Sequence, residues 1–356
     1  MKVAVVLPRG MVFSETGATS IDLVVRDQIQ NSQYSQTSYV IGVDVTKPFE
    51  EIDYRPILPQ GQKQLNVAYL EQIKKDLPDV IVVHQYPQTA AFLAQHLPKV
   101  PVILYRHGLL KKRASWASKF IKQFQFRKLA RIIFVSDFIK DAFLDDFPIY
   151  KSRCTTIHNS VDTNYWTPAV EKKQSICFAG RARQDKGILE LILAFQSLPK
   201  NDWELDLVLA VQTDAERAFF GYVEHQLKDA KNIFLRKNLK SHEVRDVFAS
   251  AKIAALPSIV KEGFPRAVVE AMSSGCATIA THSGGTPEAV GPAGILLEEA
   301  TSENIGEVLS DLVSHPEEVK RWGRRARLHA VNHLDLKVKA VEYDAVLSSY
   351  MNATVL

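Results

Sequence analysis

Short β-branched runs alternate with amphipathic segments of helical length through the first 160 residues. Val3–Leu7, Tyr39–Val43, Val80–Val83, Val102–Tyr105, Ile132–Val135 and Thr155–His158 are continuous apolar runs, which predicts strands buried on both faces. Between them, Ile21–Asn31, Leu65–Asp76 and Thr89–His96 carry the helical period. The pattern then restarts. Ser175–Phe178, Leu205–Ala210, Ile233–Leu235, Ile253–Leu256, Ala277–Ala280 and Ile295–Leu297 form a second strand series. Helical stretches at Ile188–Ser197, Ala215–Lys228, His242–Ser250 and Ala267–Ser274 separate its members. Glu303–Ser314, Glu317–Asn332 and Leu336–Tyr350 make the C-terminal part helical. Apolar strands alternating with helices predict parallel sheets covered on both faces, here in two α/β domains. Asn159–Gln174, with Pro168 and the polar run Glu171-Lys172-Lys173-Gln174, is expected to link them.

Composition narrows the class without naming it. The chain has 356 residues, 46% hydrophobic and 24% charged, as a soluble globular protein does, so disorder and fibrous repeats are excluded. Cys154, Cys177 and Cys276 are far apart and form no metal-ligand or disulfide pattern, which fits a reducing cytoplasm. Val3–Leu7 is too short for a signal-peptide core, and no run approaches the ~18 apolar residues of a membrane span. A net charge of +4 does not point to nucleic acid.

In open α/β sheets ligands bind beyond the carboxyl ends of the strands, and two such domains imply a cleft between them. After the first strand, Gly17 precedes a helix; it reads either as a glycine that lets an anion approach or as a plain turn. No GxGxxG dinucleotide fingerprint follows. In the second series the first strand runs into Gly180-Arg181-Ala182-Arg183-Gln184-Asp185-Lys186-Gly187. Three cations within six residues, flanked by glycines, suit a diphosphate: Arg grips two oxygens and Lys acts as a point charge. A solvated basic loop is the plainer alternative. A later strand leads into Glu262-Gly263-Phe264-Pro265, then a helix carrying Glu270. Glu262 can accept from hydroxyls, and Glu270 is expected about two turns further along the same face. Another loop holds Gly284-Gly285-Thr286-Pro287-Glu288.

Taken together, the Gly180-Arg181, Asp185-Lys186-Gly187, Glu262-Gly263-Phe264-Pro265, Glu270-Ala271-Met272 and Gly284–Glu288 motifs resemble glycosyltransferase family 4, with order and spacing matching through Ile176–Val290. The N-terminal half matches more loosely, through Tyr105-Arg106-His107-Gly108 and Ile157–Asp162. The resemblance implies the GT-B fold: two Rossmann-like doubly wound domains facing a cleft, with an acceptor domain over 1–160, a donor domain over 161–335 and a last helix, 336–356, returning to the first domain. It implies retaining transfer of a hexose from a UDP- or GDP-linked donor to a glycan or lipid-linked hydroxyl, as in lipopolysaccharide or other cell-surface polysaccharide synthesis. No cofactor and no metal are implied. By the same resemblance Arg181 and Lys186 hold the diphosphate. Glu262 takes donor-sugar hydroxyls with backbone N–H groups at Gly263 and Phe264, and Glu270 takes the ribose. Gly17 and Gly180 admit the diphosphate, and His107 meets a sugar hydroxyl or the acceptor, a structural histidine after a buried strand being the plainer alternative. Pro265, inside the motif, offers no N–H. The alternatives are a GT-B sugar-nucleotide epimerase and a non-catalytic sugar-nucleotide-binding subunit; the intact Arg181, Lys186, Glu262 and Glu270 argue against the second.

Nine of the 44 Lys and Arg residues fall within Arg106–Arg131, which has no Asp or Glu, so the remainder of the chain is net acidic. Trp116, Phe120 and Phe124 recur there at helical spacing. The stripe either packs onto the sheet or, with the cations around it, meets an anionic membrane at the inner face.

Overall fold

The computed structural model describes residues 1–58, 61–110, 116–199 and 202–351. The chain divides into two compact units, Met1–Asn159 with Leu336–Leu356, and Ser160–Asp335.

The first unit is built on a seven-stranded sheet: β1 (Val3–Val6), β2 (Ser38–Val43), β3 (Asp53–Ile57), β4 (Val80–His84), β5 (Val102–Arg106), β6 (Arg131–Phe134) and β7 (Cys154–Thr156). All its pairings are parallel, in the order β3-β2-β1-β4-β5-β6-β7. The chain starts in the middle, builds outward one way and then the other, so the switch point lies between β1 and β4. Every residue of β1, β4 and β5 is buried, which is why Val3–Val6, Val80–Val83 and Val102–Tyr105 are unbroken apolar runs; His84 and Arg106 end the last two strands. β3 is a strand that the hydrophobic pattern misses. It lies at the sheet edge, buries only Ile57, and holds Pro56, whose missing N–H an edge strand tolerates.

The helices of this unit are α1 (Ser20–Asn31), α2 (Gln62–Lys75), α3 (Pro87–His96), α4 (Trp116–Arg127) and α5 (Asp137–Asp146), joined at the chain's far end by α13 (Leu336–Ser348). Thr19 and Asp22 cap α1: the Asp22 carboxylate accepts from the Thr19 N–H and hydroxyl, each at 2.8 Å. α13 docks at the other end of α1. Asp344, buried, accepts from the Ser32 hydroxyl and from the Gln33 N–H at 2.8 Å, and Ser348 bonds the Tyr34 hydroxyl.

The second unit has six strands, β8 (Lys173–Arg181), β9 (Glu204–Ala210), β10 (Ile233–Lys237), β11 (Ala251–Leu256), β12 (Ala277–Thr281) and β13 (Ile295–Leu297). They run parallel in the order β10-β9-β8-β11-β12-β13. Its helices are α6 (Ile188–Gln196), α7 (Asp214–Gln226), α8 (Ser241–Ser250), α9 (Arg266–Ser273), α10 (Thr286–Val290), α11 (Ser302–Ser314) and α12 (Pro316–His333). The expected linker is not a free connection. From Ser160 onward it is strapped to this unit: Trp166 is buried, Ser273 donates to the Trp166 carbonyl at 2.7 Å, and Arg327 donates to the carbonyls of Thr163, Trp166 and Ser273. Pro168 and the polar run signal irregular backbone, and irregular backbone can still be packed. Cys154, Cys177 and Cys276 are free thiols. Among the described residues no helix is long and apolar enough to cross a membrane.

Candidate active site

Three loops at the carboxyl ends of the second sheet are laced together by backbone. β8 ends at Arg181, and a single 3-10 turn, Gln184–Lys186, leads through Gly187 into α6. The carbonyl of Asp185 accepts from Ile259 N at 3.0 Å and Val260 N at 3.2 Å, tying this turn to the loop after β11. Gly187 has φ +69°, and a Cβ there would lie 2.0 Å from the Pro257 carbonyl oxygen. The third loop joins at Gly284, which pairs in parallel with Glu262; Gly285 N donates to the Glu262 carbonyl at 2.9 Å. Gly284 has φ +65°, and a side chain there would come within 2.2 Å of that carbonyl. Both glycines are therefore required twice, by conformation and by close approach.

The lacing brings Lys186 and Glu262 together, 76 residues apart in sequence. The Lys186 ammonium donates to Glu262 Oε1, and the Ser258 hydroxyl donates to the same oxygen at 2.9 Å. The two charged side chains are 17% and 21% exposed, so the pair is sheltered and still reachable. An ammonium beside a carboxylate offers an anion and a neighbouring hydroxyl each a partner. Ser258 is a member that sequence reasoning misses, although it stands four residues before Glu262.

Arg181 has its own carboxylate, equally silent in the sequence. Its Nε meets Glu216 Oε1 at 2.5 Å, a charge contact that lies off the ideal hydrogen-bond direction. Glu216 is the third residue of α7. Its other oxygen accepts from Gln212 N at 2.8 Å and Thr213 N at 3.0 Å, in a capping box with Thr213. Burial pushes the Glu216 carboxyl up; Arg181 and those N–H groups outweigh it and hold it below its usual value. Arg183 pairs with Asp185, so each cation of this loop faces a carboxylate.

Gly180 lies in β8 with Phe178 at its side, and Phe264 is buried. Gly263 is half-buried, and Pro265 is the cap residue before α9. Glu262 lies on the strand-to-helix loop and Glu270 inside the helix, as the sequence suggests; only the shared face expected of them is corrected. α9 begins at Arg266, so Glu262 is on the preceding loop and Glu270 is one turn into the helix, facing Arg266 Nε at 3.6 Å.

In the first unit Gly17 sits in a turn with φ +87°, three residues before α1. His107 follows β5 and is packed with His84 at the end of β4. The rings stack with centroids 5.1 Å apart, and His84 Nδ1 and His107 Nε2 share a hydrogen bond of 2.8 Å. Burial pushes His84 down to about 3. Burial, with His84 and Arg106 adding to it, holds His107 well below its usual value. Both rings are therefore neutral near pH 7. Arg106, itself pushed down to about 10 by burial, clamps the loop by donating to the carbonyls of Gln85, Gly108 and Leu109. Gln85 Oε1 accepts from His107 N at 3.1 Å. The His84 partnership is not legible in the sequence, although His84 ends β4 and His107 directly follows the adjacent β5.

Lys111, Lys112 and Arg113 of the basic segment lie outside the described residues, as does the Trp116 side chain. On α4 the packing alternative fails for the other two aromatics: Phe120 is 67% and Phe124 56% exposed. Phe126 takes the inward position instead, edge-on to Phe143 at 4.9 Å.

Comparison with known proteins places this geometry. The profile of the glycosyl transferases group 1 matches residues 166–329, and that of glycosyltransferase family 4 matches residues 37–165. An MMP alpha-(1->4)-mannosyltransferase of Mycolicibacterium hassiacum is 28% identical over 226 residues, 62% of this chain and 54% of that protein. The chain thus spans about half the length of that relative. A lipopolysaccharide 1,2-N-acetylglucosaminetransferase of Salmonella typhimurium is 24% identical over 280 residues, 72% of this chain and 70% of that one. HepE of Anabaena, solved in complex with UDP, superposes with a TM-score of 0.82 at 17% identity, over 98% of this chain and 100% of that one. The two parallel-sheet α/β domains have the GT-B architecture. With both halves matched in turn, the chain belongs to the group 1, family 4 glycosyltransferases.

Proposed function

We propose that the chain is a retaining hexosyltransferase that takes its sugar from a UDP- or GDP-linked donor and passes it to a hydroxyl of a glycan or lipid-linked acceptor. The observation that carries this reading is the convergence of Lys186 and Glu262 on laced strand-end loops. Lys186 and Arg181 neutralise the diphosphate, which leaves as negative charge develops on it; stabilising such developing charge supplies most of the rate gain in many enzymes. They supply the charge that a metal supplies elsewhere, so turnover needs none. Glu262 accepts from donor-sugar hydroxyls beside the N–H groups of Gly263 and Phe264, Glu270 accepts from the ribose, and Gly17 and Gly180 let the diphosphate approach. Neutral His107 hydrogen-bonds a sugar hydroxyl. The acceptor attacks from the face that the nucleotide leaves, and the departing phosphate takes its proton. The lipopolysaccharide N-acetylglucosaminetransferase among the relatives named above is consistent with a cell-surface acceptor. So is the UDP bound by HepE with a nucleotide donor.

The test is a thermal-shift panel of UDP- and GDP-sugars in the presence of EDTA, followed by turnover with the best binder and assignment of the product anomer by NMR. One nucleotide sugar should raise Tm, and the product should keep the donor's anomeric configuration. Inversion would sink the retaining mechanism. Release of nucleotide with an epimerised free sugar and no acceptor would identify the epimerase instead.

The exposed Phe120 and Phe124 stand on α4 among Lys119, Lys122 and Arg127, with Lys128 just beyond its end. This face fits an anionic membrane that presents a lipid-linked acceptor at the inner, cytoplasmic side. Flotation with vesicles rich in an anionic lipid should show salt-sensitive binding. The Phe120→Ser/Phe124→Ser variant should weaken it at least several-fold, as should the Lys111→Ser/Lys112→Ser/Arg113→Ser variant. Wild-type protein that stays at the bottom of the gradient would remove the membrane from the proposal.

A further inference from the structure

We infer that Glu216 is a positioning residue: it holds Arg181 by its Nε edge so that the terminal nitrogens of the guanidinium are aimed at the diphosphate of the donor. The inference rests on the donor reading above and adds to it a residue outside every motif of the family resemblance.

The arrangement follows from strand register. Arg181 is the last residue of β8 and pairs with Ala210, the last residue of β9. The chain leaves Ala210 through Val211–Thr213 and enters α7, so the first turn of α7 stands beside the end of β8. Glu216 lies in that turn. It is fixed by its own bonds before any arginine is considered, because one carboxylate oxygen takes two backbone N–H groups, Gln212 N and Thr213 N. The remaining oxygen faces Arg181 Nε. The contrast in burial decides the division of labour: the Glu216 side chain is 2% exposed and the Arg181 side chain 42%. The carboxylate is below the site and does not compete for ligand. The guanidinium is the exposed partner of the pair and is held at its Nε edge.

An arginine is a long side chain that must give up rotamer freedom to grip two oxygens at once. A residue that fixes one edge beforehand removes part of that cost, which is how preorganisation raises affinity. Glu216 also sits where a helix N-terminus favours a negative charge, so the anchor is stable without the arginine. The same carboxylate thus caps a helix and orients a cation.

The experiment compares ligands with and without the diphosphate: UDP against uridine, or GDP against guanosine, whichever base the panel selects, by calorimetry on the full chain. Glu216→Gln keeps an oxygen for the capping N–H groups and loses the charge under Arg181. It should weaken nucleoside-diphosphate binding about tenfold and leave nucleoside binding unchanged. Thr213→Ala removes the hydroxyl that caps Glu216 N at 3.3 Å and keeps the carboxylate, so it should leave both affinities unchanged. Arg181→Ala should lose at least as much diphosphate affinity as Glu216→Gln, and the double variant Arg181→Ala/Glu216→Gln should lose no more than Arg181→Ala alone. Wild-type diphosphate affinity in Glu216→Gln, equal loss of nucleoside affinity, or full additivity with Arg181→Ala would each overturn the positioning role. Unchanged diphosphate affinity in Arg181→Ala would overturn the donor role of Arg181 itself and this inference with it.

Discussion

The Lys186→Ala enzyme should turn over about a hundredfold more slowly, or worse, while keeping its fold. A preorganised charge contact to a leaving group is worth ~3 kcal/mol, which is about that factor in rate. Lys186 can supply it because its ammonium is held in place. It projects from a single turn pinned by the bonds from Ile259 N and Val260 N to the Asp185 carbonyl and by the fit of Gly187 against Pro257. None of those contacts involves the ammonium, so removing it should leave the loop standing. The partner Glu262 keeps the Ser258 hydroxyl and is 21% exposed, so water can reach the carboxylate that is left behind. A half-sheltered pair of this kind contributes little to stability once solvent is counted. The measurement is kcat and kcat/KM with the selected nucleotide sugar beside Tm, with Lys186→Met as the variant that keeps the apolar stem. A Tm close to wild type with kcat down in both variants is the expected pair of results; a near-wild-type kcat would refute the role of Lys186.

How far this site can be read from sequence depends on whether each contact is local. β1 and β4 are legible because burial on both faces leaves an apolar run no other reading fits. β3 is not, because an edge strand needs only Ile57 inside and can tolerate Pro56. α5 carries its signal too faintly to stand out, in a Ser136 cap followed by the buried pair Ile139 and Phe143. The motif residues Arg181, Lys186 and Glu262 can be picked out because strand, loop and helix follow one another along the chain. Their partners cannot. Thr213 and Glu216 announce a helix start, yet nothing local says that Arg181 stands opposite; that follows from which strands are neighbours. The same holds for His84, which reaches His107 only because β4 and β5 are paired. Phe120 and Phe124 show the opposite limit. Their spacing marks one side of a helix, and which side faces the sheet is settled by Phe126, two residues on.

Glu262→Ala should produce a comparable fall in kcat with the opposite effect on nucleotide binding, and that sign separates the two residues. In the ligand-free protein both side-chain hydrogen bonds to the Glu262 carboxylate fall on Oε1, one from Lys186 and one from Ser258. Among the described residues Oε2 takes no side-chain bond, so it is the oxygen that the proposed function assigns to a sugar hydroxyl. On the proposed reading, removing the carboxylate costs the contacts to the transferred sugar, and kcat should fall about a hundredfold. It also releases Lys186 from its counter-charge. A freed ammonium attracts a diphosphate at least as strongly, so UDP or GDP should bind the Glu262→Ala protein as tightly as wild type or more tightly, whereas Lys186→Ala should bind it more weakly. Glu262→Gln should fall between, because the amide keeps one oxygen for a hydroxyl and gives up the charge that holds Lys186. Calorimetry with the nucleoside diphosphate, set beside steady-state rates with the nucleotide sugar, decides the matter. If Glu262→Ala weakened diphosphate binding as much as Lys186→Ala does, the carboxylate would be acting through the lysine it holds, and its contact with the sugar would have to be given up.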